Sequence, residues 1–280
     1  DGAGNATVVW KGRRAAPATP GVDDFVAAST APIGTLFPAP EVLSPDAADD
    51  FIVPRIAMNS SGEAVVAWVR QVSPTEDAIE ARIRMGGAFG PLRELARVPA
   101  NTVGEVAVAI EDDGEAAIVW SREVGPSSVV EGAFRAPGAT FPGGVQVLAA
   151  GASGPLVAVA SGGPTVIAWS RILDGDRTVA QAAIRSPGGS LGPAVDLSQP
   201  SEPGGFVSVR AVGFDASGAA VVGWRRSKGD SSVAEAARRP VAGPFEPAVQ
   251  VADIGATGGS LAFGIEPGGD VVAAWRERIG

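Results

Sequence analysis

Asp215-Ala216-Ser217-Gly218-Ala219-Ala220-Val221-Val222-Gly223-Trp224 carries three signals in ten residues. An acid opens a turn, a glycine three positions later closes it in the left-handed conformation, and an apolar run leads to a tryptophan. The pattern recurs along the chain. Trp10, Trp68, Trp120, Trp169, Trp224 and Trp275 follow one another at intervals of 49 to 58 residues. Six positions before each stands a glycine: Gly4, Gly62, Gly114, Gly163, Gly218 and Gly269. Nine positions before stand Asp1, Asn59, Glu111, Ala160, Asp215 and Glu266. Two positions after come Arg70, Arg122, Arg171 and Arg226, with Gly12 and Glu277 departing in the first and last copies. An internal period of this size decides the architecture before any local reading does.

A second block follows each of four tryptophans: Glu80-x₃-Arg84, Glu131-x₃-Arg135, Gln181-x₃-Arg185 and Glu235-x₃-Arg239. A Gly/Pro turn with one large apolar residue comes next (Phe37, Phe89, Phe141, Leu191, Phe245), then a short closing run such as Val195-Asp196-Leu197. Each unit reads as four strands, in the second unit roughly Arg55–Met58, Ala64–Arg70, Ala78–Arg84 and Leu92–Ala96. The run Val65-Val66-Ala67-Trp68 does not alternate, as expected of a strand buried on both faces. Pro and Gly interrupt nearly every longer window, which excludes a helical reading.

The expected fold class is all-β: a β-propeller of four-stranded blades of about fifty residues. Six blades are expected, or a segment of a seven-bladed or longer array. The units run 1–50, 51–101, 102–152, 153–203, 204–256 and a partial 257–280, all in one domain. The first lacks its opening strand and the last supplies only two, which tiles to about 21 strands. Tandem immunoglobulin-like domains need about 100 residues each and fit the period poorly.

The Asp-x-x-Gly-x-Ala-x-x-x-Trp stretch at 215–224, with a good copy at Asp1–Trp10, resembles repeats of secreted or envelope β-propeller proteins of bacteria. The resemblance implies a propeller and an exported location, and no particular activity. The motif is also similar to the sialidase Asp-box, but there the aromatic lies closer to the glycine. Sialidases rely on a Tyr nucleophile, and this chain has no tyrosine.

Composition removes several chemistries. The 280 residues hold no Cys, His or Tyr. Disulfides, thiolate and imidazole metal ligands, and Ser-His-Asp catalysis are thereby excluded. A net charge of −9 disfavours nucleic acid and anionic bilayers. No apolar run reaches the ~18 residues of a membrane helix. No cofactor and no metal site is expected: the acidic groups Asp46/Asp49/Asp50, Glu111/Asp112/Asp113/Glu115 and Asp174/Asp176 miss the calcium-loop pattern and read as turns. The chain starts without Met, as after signal removal or as a segment of a longer protein.

The candidate ligand-binding residues are the repeated trio Trp68, Arg70, Glu80; Trp120, Arg122, Glu131; and Trp224, Arg226, Glu235. They are read either as sugar-stacking sites or as buried rings with cross-strand ion pairs, Arg70 to Glu80, Arg122 to Glu131 and Arg226 to Glu235. A glycosidase would break repeat symmetry at two catalytic acids, and no acid stands out from its unit's pattern. The expectation is therefore a noncatalytic extracellular or envelope module, not an enzyme, binding an unknown protein or glycan through loops such as Arg13–Asp24, Gln71–Asp77 and Ile172–Arg177. The alternatives are a repeat lectin with sugars between blades and a propeller-fold glycosidase.

Overall fold

The computed structural model describes all residues except 16–21, 45–50, 143, 161, 175, 256–260, 267 and 277–280. The described chain is all-β, built of antiparallel meanders in six sheets. The first sheet has β1 (Ala6–Ala15), β2 (Val22–Ala31) and β3 (Glu41–Val42). The second has β4 (Phe51–Met58), β5 (Ala64–Ser73), β6 (Glu76–Met85), β7 (Ala88–Phe89) and β8 (Arg93–Pro99). The third orders β9 (Val103–Ile110), β10 (Ala116–Val124), β11 (Ser127–Arg135) and β12 (Gln146–Ala150). The fourth has β13 (Ala152–Val159), β14 (Thr165–Leu173), β15 (Arg177–Arg185) and β16 (Val195–Asp196). The fifth has β17 (Val207–Phe214), β18 (Ala220–Lys228), β19 (Ser231–Arg239) and β20 (Val249–Asp253), and the sixth pairs β21 (Leu261–Ile265) with β22 (Val271–Trp275).

The described residues hold 22 strands, one beyond the expected tiling. The addition is β7, which folds back on β6 with Arg84 opposite Phe89. Gly86 and Gly87, at φ 57° and 91°, supply the two left-handed residues of that tight hairpin. Strands also run longer than expected. Gln71–Asp77, expected as a long loop, is nearly all strand, because the β5–β6 ladder continues to Ser73 opposite Glu76.

Contacts group the chain into two compact units, residues 1–118 with 132–146, and residues 119–131 with 147–280. In the first, Val26, Ala28 and Leu43 of the first meander pack on Val66 and Trp68 of the second. In the second, Val166, Ala168, Ala180, Ala182 and Leu197 of the fourth meander pack on Val207, Val209, Val222 and Trp224 of the fifth. In both, a tryptophan lies against the alanine-rich face of the preceding sheet. Ala64 to Val69 are six buried residues in a row, so the missing alternation reflects cover on both faces. Burying each indole, ~200 Å² of mostly apolar surface, is worth roughly 5 kcal/mol in transfer terms.

The turn before each tryptophan strand has a physical basis for its acid. Asp215 Oδ1 accepts the backbone N–H groups of Ser217 and Ala219 at 2.8 and 3.0 Å, and Gly218 closes the turn at φ 79°. Arg238 Nη2 pairs with Asp215 Oδ2 at 2.7 Å. The Ser217 hydroxyl, then Arg238 and the two amides, hold this carboxyl far below the ordinary range despite burial. Asn59 does the same for Glu63 N–H at 2.9 Å, and Asp1 for Ala3 and Asn5. Asp113 caps Glu115, and Asp112 accepts the Ser60 amide at 2.8 Å, so the acids at 111–115 serve turns. The acids at 46, 49 and 50 lie outside the described residues.

Two outcomes are expected. Asp215→Ala lowers stability by about 1–3 kcal/mol in urea unfolding, because two amides and a guanidinium lose their acceptor. Asp215→Asn keeps the amide bonds and costs less. Asp24, buried, has its carboxyl lowered to about 2, chiefly by the Arg13 hydrogen bond and further by Lys11. Its pairing contributes fully above the ordinary value of 3.8 and is lost as pH falls through about 2. Acid titrations of the thermal midpoint must therefore drop less steeply between those values in Asp24→Asn than in the parent chain.

Candidate functional site

The nine candidate ligand residues form three copies of one buried arrangement. Trp68, Trp120 and Trp224 are each 0% exposed. Their indole Nε1 atoms donate to Glu80, Glu131 and Glu235 at 2.9, 2.9 and 2.8 Å. Arg70, Arg122 and Arg226 close on the same carboxylates with Nη2–Oε1 distances of 2.6, 2.6 and 2.5 Å. The ladder places each Glu directly opposite Trp and diagonal to Arg, as Trp68↔Glu80 and Arg70↔Ala78 show. The carboxylate thus satisfies a buried indole N–H and a largely buried guanidinium at once. Stacking a sugar needs an open ring face, which these tryptophans do not offer. Trp275 in the sixth sheet is 38% exposed and Trp10 is half-buried.

The first sheet lacks this arrangement for a visible reason. Ala27 stands opposite Trp10 where a glutamate would be, and the Phe25 ring lies where a Cβ on Gly12 would sit, 2.3 Å away. The fourth sheet departs differently. Gln181 replaces the glutamate, and Trp169 Nε1 donates to its Oε1 at 3.1 Å. That fixes the amide orientation and turns Nε2 toward Asp196 Oδ1, 2.6 Å away. Arg171, released from pairing, is exposed. The turn before this strand also loses its acid, with Ala160 in its place and Gly162 at φ 56°. The fourth strand of this sheet carries an exposed acid, Asp196, opposite a glutamine, where the second sheet has Glu94 opposite Glu80.

Asp196 lines a groove of about 320 Å³ together with Ala182, Ala183, Pro193, Arg239, Pro244 and Phe245. Arg239 is half-buried. A second groove, about 390 Å³, is lined by Ala28, Ser29, Thr30, Glu41, Arg84 and Phe89 among others. Arg84 and Arg239 are the same repeat position, as are Phe89 and Phe245. Neither groove was expected from the trio reading. The repeated Glu-x₃-Arg and Phe positions were the available signal.

No protein-family model and no curated protein matches this chain. Solved structures resemble it in fold. An α-L-arabinanase of Penicillium chrysogenum, solved with arabinobiose, is 11% identical, with 79% of this chain and 74% of that one covered at a TM-score of 0.48. An ulvan lyase, a polysaccharide lyase, is 8% identical over 93% and 70% at 0.48. A Hadza microbial sialidase is 12% identical over 79% and 53% at 0.45. These findings correct the expectation of a noncatalytic binding or scaffold module, and of a chain that is not an enzyme. The arabinanase, the lyase and the sialidase are carbohydrate-active enzymes.

The buried arrangement has a measurable consequence. Glu131→Ala strands the Trp120 N–H and the Arg122 guanidinium, and about 2–3 kcal/mol of unfolding free energy is expected to be lost. Glu131→Gln, which reproduces the fourth sheet, keeps the indole bond and loses less. Equal losses in denaturant titrations would contradict this account.

Proposed function

We propose that this chain is a carbohydrate-active β-propeller of six blades, glycosidase-like in activity, that holds a neutral glycan in the Asp196–Arg239–Phe245 groove. The exchange in the fourth sheet carries the reading. A glycosidase needs carboxylates at the groove that holds the glycosidic bond, and Asp196 is exposed, oriented by Gln181 and lines a groove. Glu94 holds the same repeat position opposite Glu80, so its amide partner sets Asp196 apart.

The lining fits a sugar. Phe245 with Pro193 and Pro244 offers apolar surface to a pyranose or furanose face, while Arg239 donates to hydroxyl oxygens and Asp196 accepts from hydroxyl hydrogens. One cation and one anion in the groove, on a chain of net charge −9, favour a neutral glycan over an acidic one. Asp196 is the carboxylate positioned as one member of the acid–base pair that glycoside hydrolysis uses, the one that protonates the glycosidic oxygen. A polymeric glycan substrate fits a secreted or cell-envelope protein, and the all-β framework of the arabinanase supports the same class.

The test is release of reducing ends from neutral polysaccharides (arabinan, xylan, galactan, β-glucan), with polygalacturonate as the acidic comparison. The neutral set should be cut, and Asp196→Asn should slow hydrolysis about 100-fold or more without changing the melting temperature. Arg239→Ala should raise KM about tenfold. Wild-type rates in Asp196→Asn, or cleavage of polygalacturonate alone, would overturn the proposal.

A further inference from the structure

The groove between the first and second meanders repeats the lining of the Asp196 groove with one difference. Ala28, Ser29 and Thr30 stand where Ala182, Ala183 and Ile184 stand in the other, and Arg84 and Phe89 replace Arg239 and Phe245. The carboxylate differs: Val42 occupies the Asp196 position, and the acid is instead Glu41, one residue earlier. Glu41 is 51% exposed on its side chain and stands 3.9 Å from Arg82. Arg84 spends Nη1 on the Gly62 carbonyl at 2.8 Å and keeps its remaining donors for the groove.

The next junction shows that an open groove is not a mere by-product of the repeat. There Arg135, at the Arg84 position, is 1% exposed, and Phe141, at the Phe89 position, is 5% exposed. Arg135 pairs with Glu63, donates to the Ala139 carbonyl and touches Met85 Sδ. The protein's own side chains consume that arginine.

Resting on the glycan reading of the Asp196 groove, we infer that the Glu41–Arg84–Phe89 groove is a second neutral-glycan site, one that binds without an acid placed as Asp196 is. A ring face, a guanidinium and a carboxylate line it, as in the first site.

Isothermal titration of the Asp196→Asn chain tests this, because turnover is removed. The probes are arabinotetraose, xylotetraose, galactotetraose and cellotetraose, each titrated alone. The probe that binds should do so at about two sites per chain, and Ala39→Trp, which fills the Glu41 groove from an exposed position, should leave about one. Phe89→Ala should weaken that same site about tenfold or more, and Phe245→Ala should remove the other. A single site that Phe245→Ala abolishes and Ala39→Trp spares overturns the second site while leaving the proposed function standing. Two sites unaffected by Ala39→Trp place the second elsewhere and overturn it too. Absence of binding by every probe, together with absence of hydrolysis, overturns the glycan reading itself.

Discussion

A fully buried indole still carries an N–H, and that donor must find an acceptor. In three sheets a glutamate directly across the ladder supplies it, which brings a charge into the interior. The charge is tolerable only because an arginine two residues after the tryptophan reaches diagonally to the same carboxylate. Ring, acid and base are therefore one requirement, which explains why all three recur together at a fixed offset. The ring's bulk also sets the spacing of neighbouring sheets, because it rests against alanines such as Ala28, Ala168 and Ala180.

Relaxing this constraint is what exposes chemistry. A glutamine also accepts from the indole, but it has no charge to offer an arginine. In the fourth sheet the substitution frees Arg171 to the surface and gives Gln181 a spare N–H, which holds Asp196. Glu94 stands at the same position opposite Glu80 in the second sheet, so the exchange changes the acid's partner and not its presence. A carboxylate so held has one oxygen engaged and the other available to a ligand, whereas Glu80 and Glu131 have neither.

Much of the strand order could be read from residues 215–224 and their five relatives, because turn chemistry and a two-sided apolar run are local signals. The register Trp68↔Glu80 follows from hairpin length, and the ion pairs were legible with it. The β7 strand was not, since Ala88–Phe89 has no strand-like run and exists because Gly86-Gly87 turns it back. The grooves were not legible either. Gln181 reads as a conservative replacement, and Asp196 as one more polar residue in a closing run. Only the ladder shows that they touch.

By itself, the amino-acid sequence determined the all-β class, the repeat, the turn acids and the exclusion of thiol, imidazole and phenol chemistry, because each rests on residue type and short spacing. Which arginines remain open to a ligand was decided by tertiary structure alone. Arg84, Arg135 and Arg239 occupy the same repeat position, yet Arg135 is sealed and the others line grooves. At the sealed position Glu63, the Ala139 carbonyl and Met85 Sδ take up the guanidinium, whereas Arg84 gives one nitrogen to the Gly62 carbonyl. That pairing exists only once the sheets are packed.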